Sequence, residues 1–236
     1  MAHRGNRFAC PENTLAAFRR AIADGADILE TDLRLTADGE FICIHDETVD
    51  RTTDGKGAVS EMMLGQIQRL SASCGREEFH GERVPALQEA IDLLPPDMAL
   101  AIELKTDRFL DPSVGRHLVS ELDRAGVRNR TIFLSFSLPR LRAVRSIVSD
   151  IPVGWVTLSS PWPLVDAQLL GPYWPLILIN PFYVMVAHLS GRSVCPLDSM
   201  PGSRLWIYRL LRCDAVLTDD TDKTCRALGR PRRDRR

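Results

Sequence analysis

Ile28-Leu-Glu-Thr-Asp-Leu-Arg-Leu35, followed after Thr36-Ala-Asp-Gly-Glu40 by Phe41-Ile-Cys-Ile-His45, is the stretch on which the reading of the fold turns. Both runs are rich in apolar residues and read as strands. The five residues between them are too few for a parallel crossover, which takes a dozen or more. The pair is therefore a hairpin, and with Thr36 to Gly39 as its turn Glu30 is expected opposite His45. Side chains two apart in a strand share a face, so Glu30 and Asp32 point the same way. Glu103 and Lys105 do so in Ala99-Leu-Ala-Ile-Glu-Leu-Lys105.

Further strands are expected at Thr131 to Phe136, Val153 to Thr157, Leu176 to Asn180, Ser193 to Leu197 and Ala215 to Asp219, with a short N-terminal strand ending at His3. Setting the antiparallel hairpin strand aside leaves eight parallel candidates separated by helical patterns, the count of a TIM (β/α)8 barrel. The α/β class follows. The first helix is set by Leu15, Phe18 and Ile22, with Asn13 or Thr14 to cap it and Gly25 to end it. Residues 46 to 98 show no clear strand and read as a loop-rich insertion, the kind of segment that builds a pocket at a barrel mouth. One domain is expected over residues 1–228. Residues 229–236, with five arginines, read as a flexible, solvated basic tail.

Composition excludes several classes. The 236 residues are 44% hydrophobic, enough for a full core, and 30 Lys plus Arg against 31 Asp plus Glu leave a net charge of −1. No nucleic-acid surface is expected, so a phosphate must be met by local cations. Six cysteines without C-x-x-C spacing read as reduced, buried thiols. The apolar run from Trp174 to Val186 is broken by Pro175 and Pro181 and is too short to span a bilayer. With no transmembrane segment and no signal-peptide pattern, a cytoplasmic location is expected, although another start codon would add residues ahead of Met1.

Carboxylates pointing into a barrel are costly to desolvate unless a cation or proton offsets them. Acids on two apolar strands, accompanied by Lys105, His3 and His45, suit a hard divalent ion that prefers oxygen. Arg4 offers a planar fork matched to phosphate oxygens, and Gly5 lets the chain turn sharply there. The ordinary alternative for Arg4 is a salt bridge to Glu12, and the two roles are compatible.

His3-Arg-Gly5, Pro11-Glu-Asn-Thr14, Gly25-Ala-Asp27, Glu30-Thr-Asp32, Asp38-Gly39, His45-Asp46, Arg51-Thr-Thr53 and Glu103-Leu-Lys105 occur in one order and spacing. In this the chain resembles the glycerophosphodiester phosphodiesterase family, densely over residues 2–105 and thinly at Ser135-Phe136 and Thr218-Asp219. The resemblance implies a TIM barrel that hydrolyses small-molecule glycerophosphodiesters to glycerol 3-phosphate and an alcohol. It implies a divalent cation, Ca2+ or Mg2+, on Glu30, Asp32 and Glu103, phosphate binding by Arg4 and Lys105, and Glu12 orienting Arg4 or His3. It further implies His3 and His45 as the acid/base pair. We assign His3 as base and His45 as acid in attack by a glycerol hydroxyl through a cyclic phosphate. His80, His117 and His188 lack acidic-cluster neighbours and read as structural. The family's Trp-Thr-Val-Asn is replaced by Cys195-Pro-Leu-Asp198, which leaves the alcohol open. Trp155 and Trp162 are candidates to restore the lost aromatic wall, with core packing their more ordinary role. Two rival readings stand beside this one: a phosphodiesterase for lysophospholipids or a sugar phosphodiester, and a non-catalytic binding barrel. The intact set of acids and imidazoles argues against the second.

Overall fold

The computed structural model describes residues 1–233. Seven strands form one sheet in the order β2-β1-β3-β4-β5-β6-β7: β1 Ile28–Leu35, β2 Phe41–Cys43, β3 Ala99–Leu104, β4 Thr131–Ser135, β5 Val153–Thr157, β6 Leu169–Pro172 and β7 Ser193–Val194. All pairings are parallel except β1 with β2. Two short extended pieces close the ring. The Asp214 amide donates to the Val194 carbonyl (3.0 Å), Thr218 to Met1 (3.1 Å), His3 to Thr218 (3.0 Å) and Glu30 to Ala2 (3.0 Å). Ala2 thus bridges Leu29 and Thr218. Counting these pieces, eight parallel staves make the (β/α)8 barrel, with β2 appended as the antiparallel extra.

Helices α1 Leu15–Ala23, α2 Leu64–Ile67, α3 Leu87–Ile91, α4 Pro112–Arg124, α5 Leu138–Ile147, α6 Trp174–Ile179, α7 Tyr183–Leu189, α8 Leu205–Leu210 and α9 Thr221–Ala227 complete the element list, with short 3-10 turns between. Thr14 caps α1 by accepting from the Ala17 amide, and Gly25, at φ +91°, ends it. Alternation along the strands divides their side chains between two environments. Leu29, Leu33, Leu100, Ile102 and Phe133 are fully buried with the helices, each removal from water contributing about 1.5–3 kcal/mol. The intervening positions, Glu30, Asp32 and Glu103, are left for the barrel interior.

Three expectations need correction. Residues Leu176–Asn180 are not a strand, because Pro175 sits in the first turn of α6 and starts a helix there. The stave is β6, four residues that include Gly171 and Pro172 and so carry little strand signal. The hairpin register is also one residue off: Leu33 pairs with Cys43, and the Thr36 amide donates to the Glu40 carbonyl around a three-residue loop with Gly39 at φ +86°. The Ile44 amide accordingly reaches the Asp32 carbonyl, and His45 lies beyond the strand rather than opposite Glu30. The first and last staves are single bridges rather than full strands.

Residues 46–98 hold no strand and enclose an apolar cluster of Val49, Val59, Ile67, Ala72 and Val84 beneath Ile42 and Ile44. The six cysteines are free thiols, four of them buried. No helix among the described residues is long and apolar enough to cross a membrane. The flexible tail expected at 229–236 falls partly on residues 234–236, outside the described residues. Within them Arg230, Arg232 and Arg233 pair with Asp27, Asp222 and Asp97.

Candidate active site

Parallel pairing of β1 with β3 sets Asp32 beside Glu103, and Glu30 lies one inward position earlier on β1. One carboxylate oxygen from each of the three approaches the others within 4.8 Å, and all three residues are buried. Three like charges so close in a dry place repel strongly. Burial pushes Glu30 well above the usual carboxylate range, helped by the charges of Asp32 and Glu103. Burial likewise raises Glu103 to about 7, against the pull of Lys105. Burial acts in the same sense on Asp32, but Arg4, Lys105 and His45 outweigh it and hold the group at about 2.

The two expected phosphate-binding cations are here, and both lean on these acids. Lys105 Nζ lies 2.8 Å from Glu103 Oε1 and 3.3 Å from Asp32 Oδ1. Arg4 donates its amide to Glu30 Oε2 (2.8 Å) and Nη1 to Glu12 Oε1 (2.9 Å), which joins the two roles read for it. Its Nε is 2.9 Å from Asp32 Oδ2, yet neither Arg4 Nε nor Asp32 Oδ1 makes a well-aligned hydrogen bond. An acid oxygen sealed from water with no well-aligned donor, Lys105 Nζ standing 3.3 Å away, among three converging carboxylates, is the donor set a hard cation fits. Arg4 achieves its pose at φ +57°, a left-handed conformation rare for a side-chain-bearing residue. Gly5 follows at φ +78°, where a Cβ would stand 2.6 Å from the Ala17 backbone of α1.

His3 and His45 both line the cleft above the acids. Each is anchored through Nδ1, His3 to Asp219 Oδ1 and His45 to Asp46 Oδ1, both at 2.6 Å. That leaves Nε2 of each ring for a substrate. Burial lowers the pKa of His45 although Asp32 pulls it upward. Arg51 clamps the surroundings, donating to Glu12 Oε2 (3.0 Å) and Asp46 Oδ2 (2.5 Å). Glu12 is drawn down to about 2, against its burial, by Arg51, Arg4 and Arg7.

Roles for Asp46, Arg51 and Asp219 were missed. Their signal was present in the His45-Asp46, Arg51-Thr-Thr53 and Thr218-Asp219 motifs, but Asp219 meets His3 across 216 residues, which spacing does not reveal. Trp155 packs against the core and Trp162 is 60% exposed, so neither lines the cleft. Tyr173 and Trp174 at the end of β6 supply its aromatic wall, beside Cys195 to Asp198. Ser135 is buried, donating to the Leu104 carbonyl, and Phe136 lines the cleft instead. Among the other histidines, His117 packs on Phe41 and His188 pairs with Asp214.

A barrel whose carboxyl-terminal mouth opens into a cleft of about 430 Å³ above such a cluster has the architecture of the (β/α)8 enzymes, which place their sites at that end. Residues 3–223 match the model of the glycerophosphoryl diester phosphodiesterase family, and the chain belongs to that family. A glycerophosphodiester phosphodiesterase from Caldanaerobacter subterraneus subsp. tengcongensis is 38% identical over 182 residues, 74% of this chain and 75% of that one. A phosphodiesterase from Oleispira antarctica, solved with its product sn-glycerol-3-phosphate, superimposes with a TM-score of 0.87 at 27% identity, over 97% of this chain and 95% of that one. A glycerophosphodiester phosphodiesterase from Agrobacterium tumefaciens matches at 0.80 and 29%, covering 94% and 96%.

Proposed function

We propose that the chain hydrolyses glycerophosphodiesters to glycerol 3-phosphate and an alcohol, in a single domain over residues 1–228. The observation that carries this is the convergence of Glu30, Asp32 and Glu103 beneath a cleft that both imidazoles, Arg4 and Lys105 also face. Those three acids would hold a divalent cation, Ca2+ or Mg2+. Such an ion, when bound, polarises a phosphoryl oxygen and acidifies a hydroxyl. Arg4 and Lys105 bind the phosphate, their charge opposing the negative charge that builds on its oxygens. His3, held in orientation by Asp219, removes the proton of the attacking glycerol hydroxyl at Nε2. His45, held by Asp46, delivers a proton to the departing alcohol, and its lowered pKa eases that release. The roles reverse as water opens the cyclic phosphate. Glu12 positions Arg4 and, through Arg51, the Asp46 that steers His45.

The test is to strip the protein of metal, restore Ca2+ or Mg2+, and assay glycerol 3-phosphate release from a panel of glycerophosphodiesters. Restored release that disappears in His45→Ala, with fold and metal uptake intact, is the expected result. Silence across the panel overturns the substrate assignment.

A further inference from the structure

Two arginines that border the cleft, Arg7 and Arg204, keep donors that the protein itself does not use. The Arg7 guanidinium pairs with Glu12 Oε2 (3.3 Å) and Asp219 Oδ2 (3.7 Å), and neither contact is aligned as a hydrogen bond among the described residues. Both acids are committed elsewhere, Glu12 to Arg4 and Arg51, and Asp219 to His3. Arg204 is fixed more firmly. Its Nε and Nη2 donate to the two oxygens of the buried Asp198 (2.6 and 2.7 Å), Nη2 donates also to the Met200 carbonyl (2.8 Å), and Cζ lies 4.3 Å over the Trp174 ring centroid. Its Nη1 has no acceptor among the described residues. A planar fork clamped through Nε and one amino group presents the other in a set direction, which is how arginine recognises an anion.

The two side chains belong to one sector of the rim. The Phe8 amide donates to the Asp219 carbonyl (3.1 Å) and the Asp219 amide to the Ser199 carbonyl (2.8 Å), and the chain then runs from Ser199 through Met200 to Arg204. This sector adjoins His3, whose anchor is Asp219. Arg7 also stands one carboxylate away from Arg4, because Glu12 gives Oε1 to Arg4 and Oε2 to Arg7. A phosphate on Arg4 therefore has a further cation close enough to meet a second anion on the same small molecule.

We infer that Arg7 and Arg204 form a second anion site, which takes an anionic oxygen group carried by the substrate beyond the phosphate that reacts. The site lies on the side of His3, the base for the glycerol hydroxyl, so the glycerol carries this group. The preferred substrate is a glycerol phosphorylated at both ends, one of them as the diester, with the hydroxyl between them free. This rests on the hydrolysis proposed above and names its substrate class. The bond changes are those already given, and the products are a glycerol bisphosphate and the alcohol. A group that takes no part in the bond change is held equally in ground state and transition state, so the preference resides in KM.

The test measures choline release from glycero-3-phosphocholine and from the same diester bearing a phosphate on C1, on native protein with Mg2+ or Ca2+ in excess. kcat/KM is expected to be at least about tenfold higher for the phosphorylated diester, through KM, the worth of one charge-assisted contact. Arg7→Gln should cut the ratio of the two at least about fivefold. Arg204→Lys, which keeps a cation on Asp198 but gives up Nη1, should do the same. Circular dichroism checks that each variant folds, and Arg7→Gln decides alone if Arg204→Lys does not, since the Arg7 guanidinium makes no hydrogen bond among the described residues for the fold to lose. A ratio of one or below overturns the site, as does a ratio that neither variant moves or one that arises in kcat alone. Glycerophosphoserine against glycerophosphoethanolamine puts the added charge, a carboxylate, on the alcohol. A greater preference in that pair overturns the placement on the glycerol. Release from neither choline diester overturns the hydrolysis and the anion site with it.

Discussion

Glu103→Gln is predicted to stabilise the metal-free protein while removing its function. Glu103 is raised to about 7 by burial, from an ordinary 4.5, although Lys105 lies 2.8 Å away. Folding therefore favours its protonated form. An acid whose folded pKa exceeds its unfolded one contributes stability that is full below about 4.5 and lost as pH rises through about 7. The difference of about 2.5 pH units, at 1.36 kcal/mol each, makes the ionised group cost up to about 3 kcal/mol at pH 8. Glutamine has the same shape, still accepts from Lys105 and has no charge to desolvate. For a domain of this size 1 kcal/mol moves Tm by roughly 2–4 °C, so a gain of up to roughly 6–12 °C is expected. The assay is thermal unfolding in chelator at pH 5.5 and pH 8. Native protein should melt lower at pH 8, and the variant should flatten most of that fall, Glu30 retaining the rest. With the cation at a thousand times its Kd the order inverts, because native protein gains about 4.1 kcal/mol that the variant lacks. A variant that melts below native protein in chelator at pH 8 would refute the reasoning, as would a native Tm that does not fall from pH 5.5 to 8.

Asp219→Asn leaves His3 without its anionic anchor and is expected to lower kcat about 10- to 100-fold with metal affinity little changed; isothermal titration beside steady-state kinetics separates the two. Gly5→Ala forces a Cβ at φ +78° to within 2.6 Å of the Ala17 backbone, and urea unfolding should show a loss of about 2–4 kcal/mol. Arg51→Ala frees Glu12, whose pKa of about 2 lies below its ordinary value. Stability from a lowered acid is present above its unfolded pKa and lost as pH falls toward 2, so this variant's acid-unfolding midpoint should move upward, read by circular dichroism from pH 5 to 2.

Local pattern carried the barrel's count of staves but not the identity of each. Strands such as β1 and β3 announce themselves as apolar runs of six or eight residues carrying acids, Glu30 and Asp32 in one and Glu103 in the other. β6 has four residues and ends on Gly171-Pro172, while the neighbouring Leu176-Ile-Leu-Ile179 is more apolar yet helical. Hydrophobicity alone does not separate a short buried strand from a short buried helix, and Pro175 was the local clue. Within the site the acids, both histidines, Arg4 and Lys105 were legible because each sits in a dense motif. Their partners were less so, since Asp219 and Arg51 reach the cleft through contacts set by ring closure and by the folding of residues 46–98. The apolar residues that line the cleft, such as Phe136, Val156 and Tyr173, escaped because their facing it depends on the curvature of the sheet.

The seam at Ala2 couples two events in the life of the chain. His3 stands next to the residue that joins Leu29 to Thr218, so the imidazole is delivered by the same contact that completes the ring. A nascent chain emerging from the ribosome can assemble β1 through β7 and gather the acids while its first residues still await their last neighbour. On the role proposed for His3, hydrolysis waits until synthesis has passed Asp219, and turnover would report finished folding in a way that chains cut short upstream of that point would not.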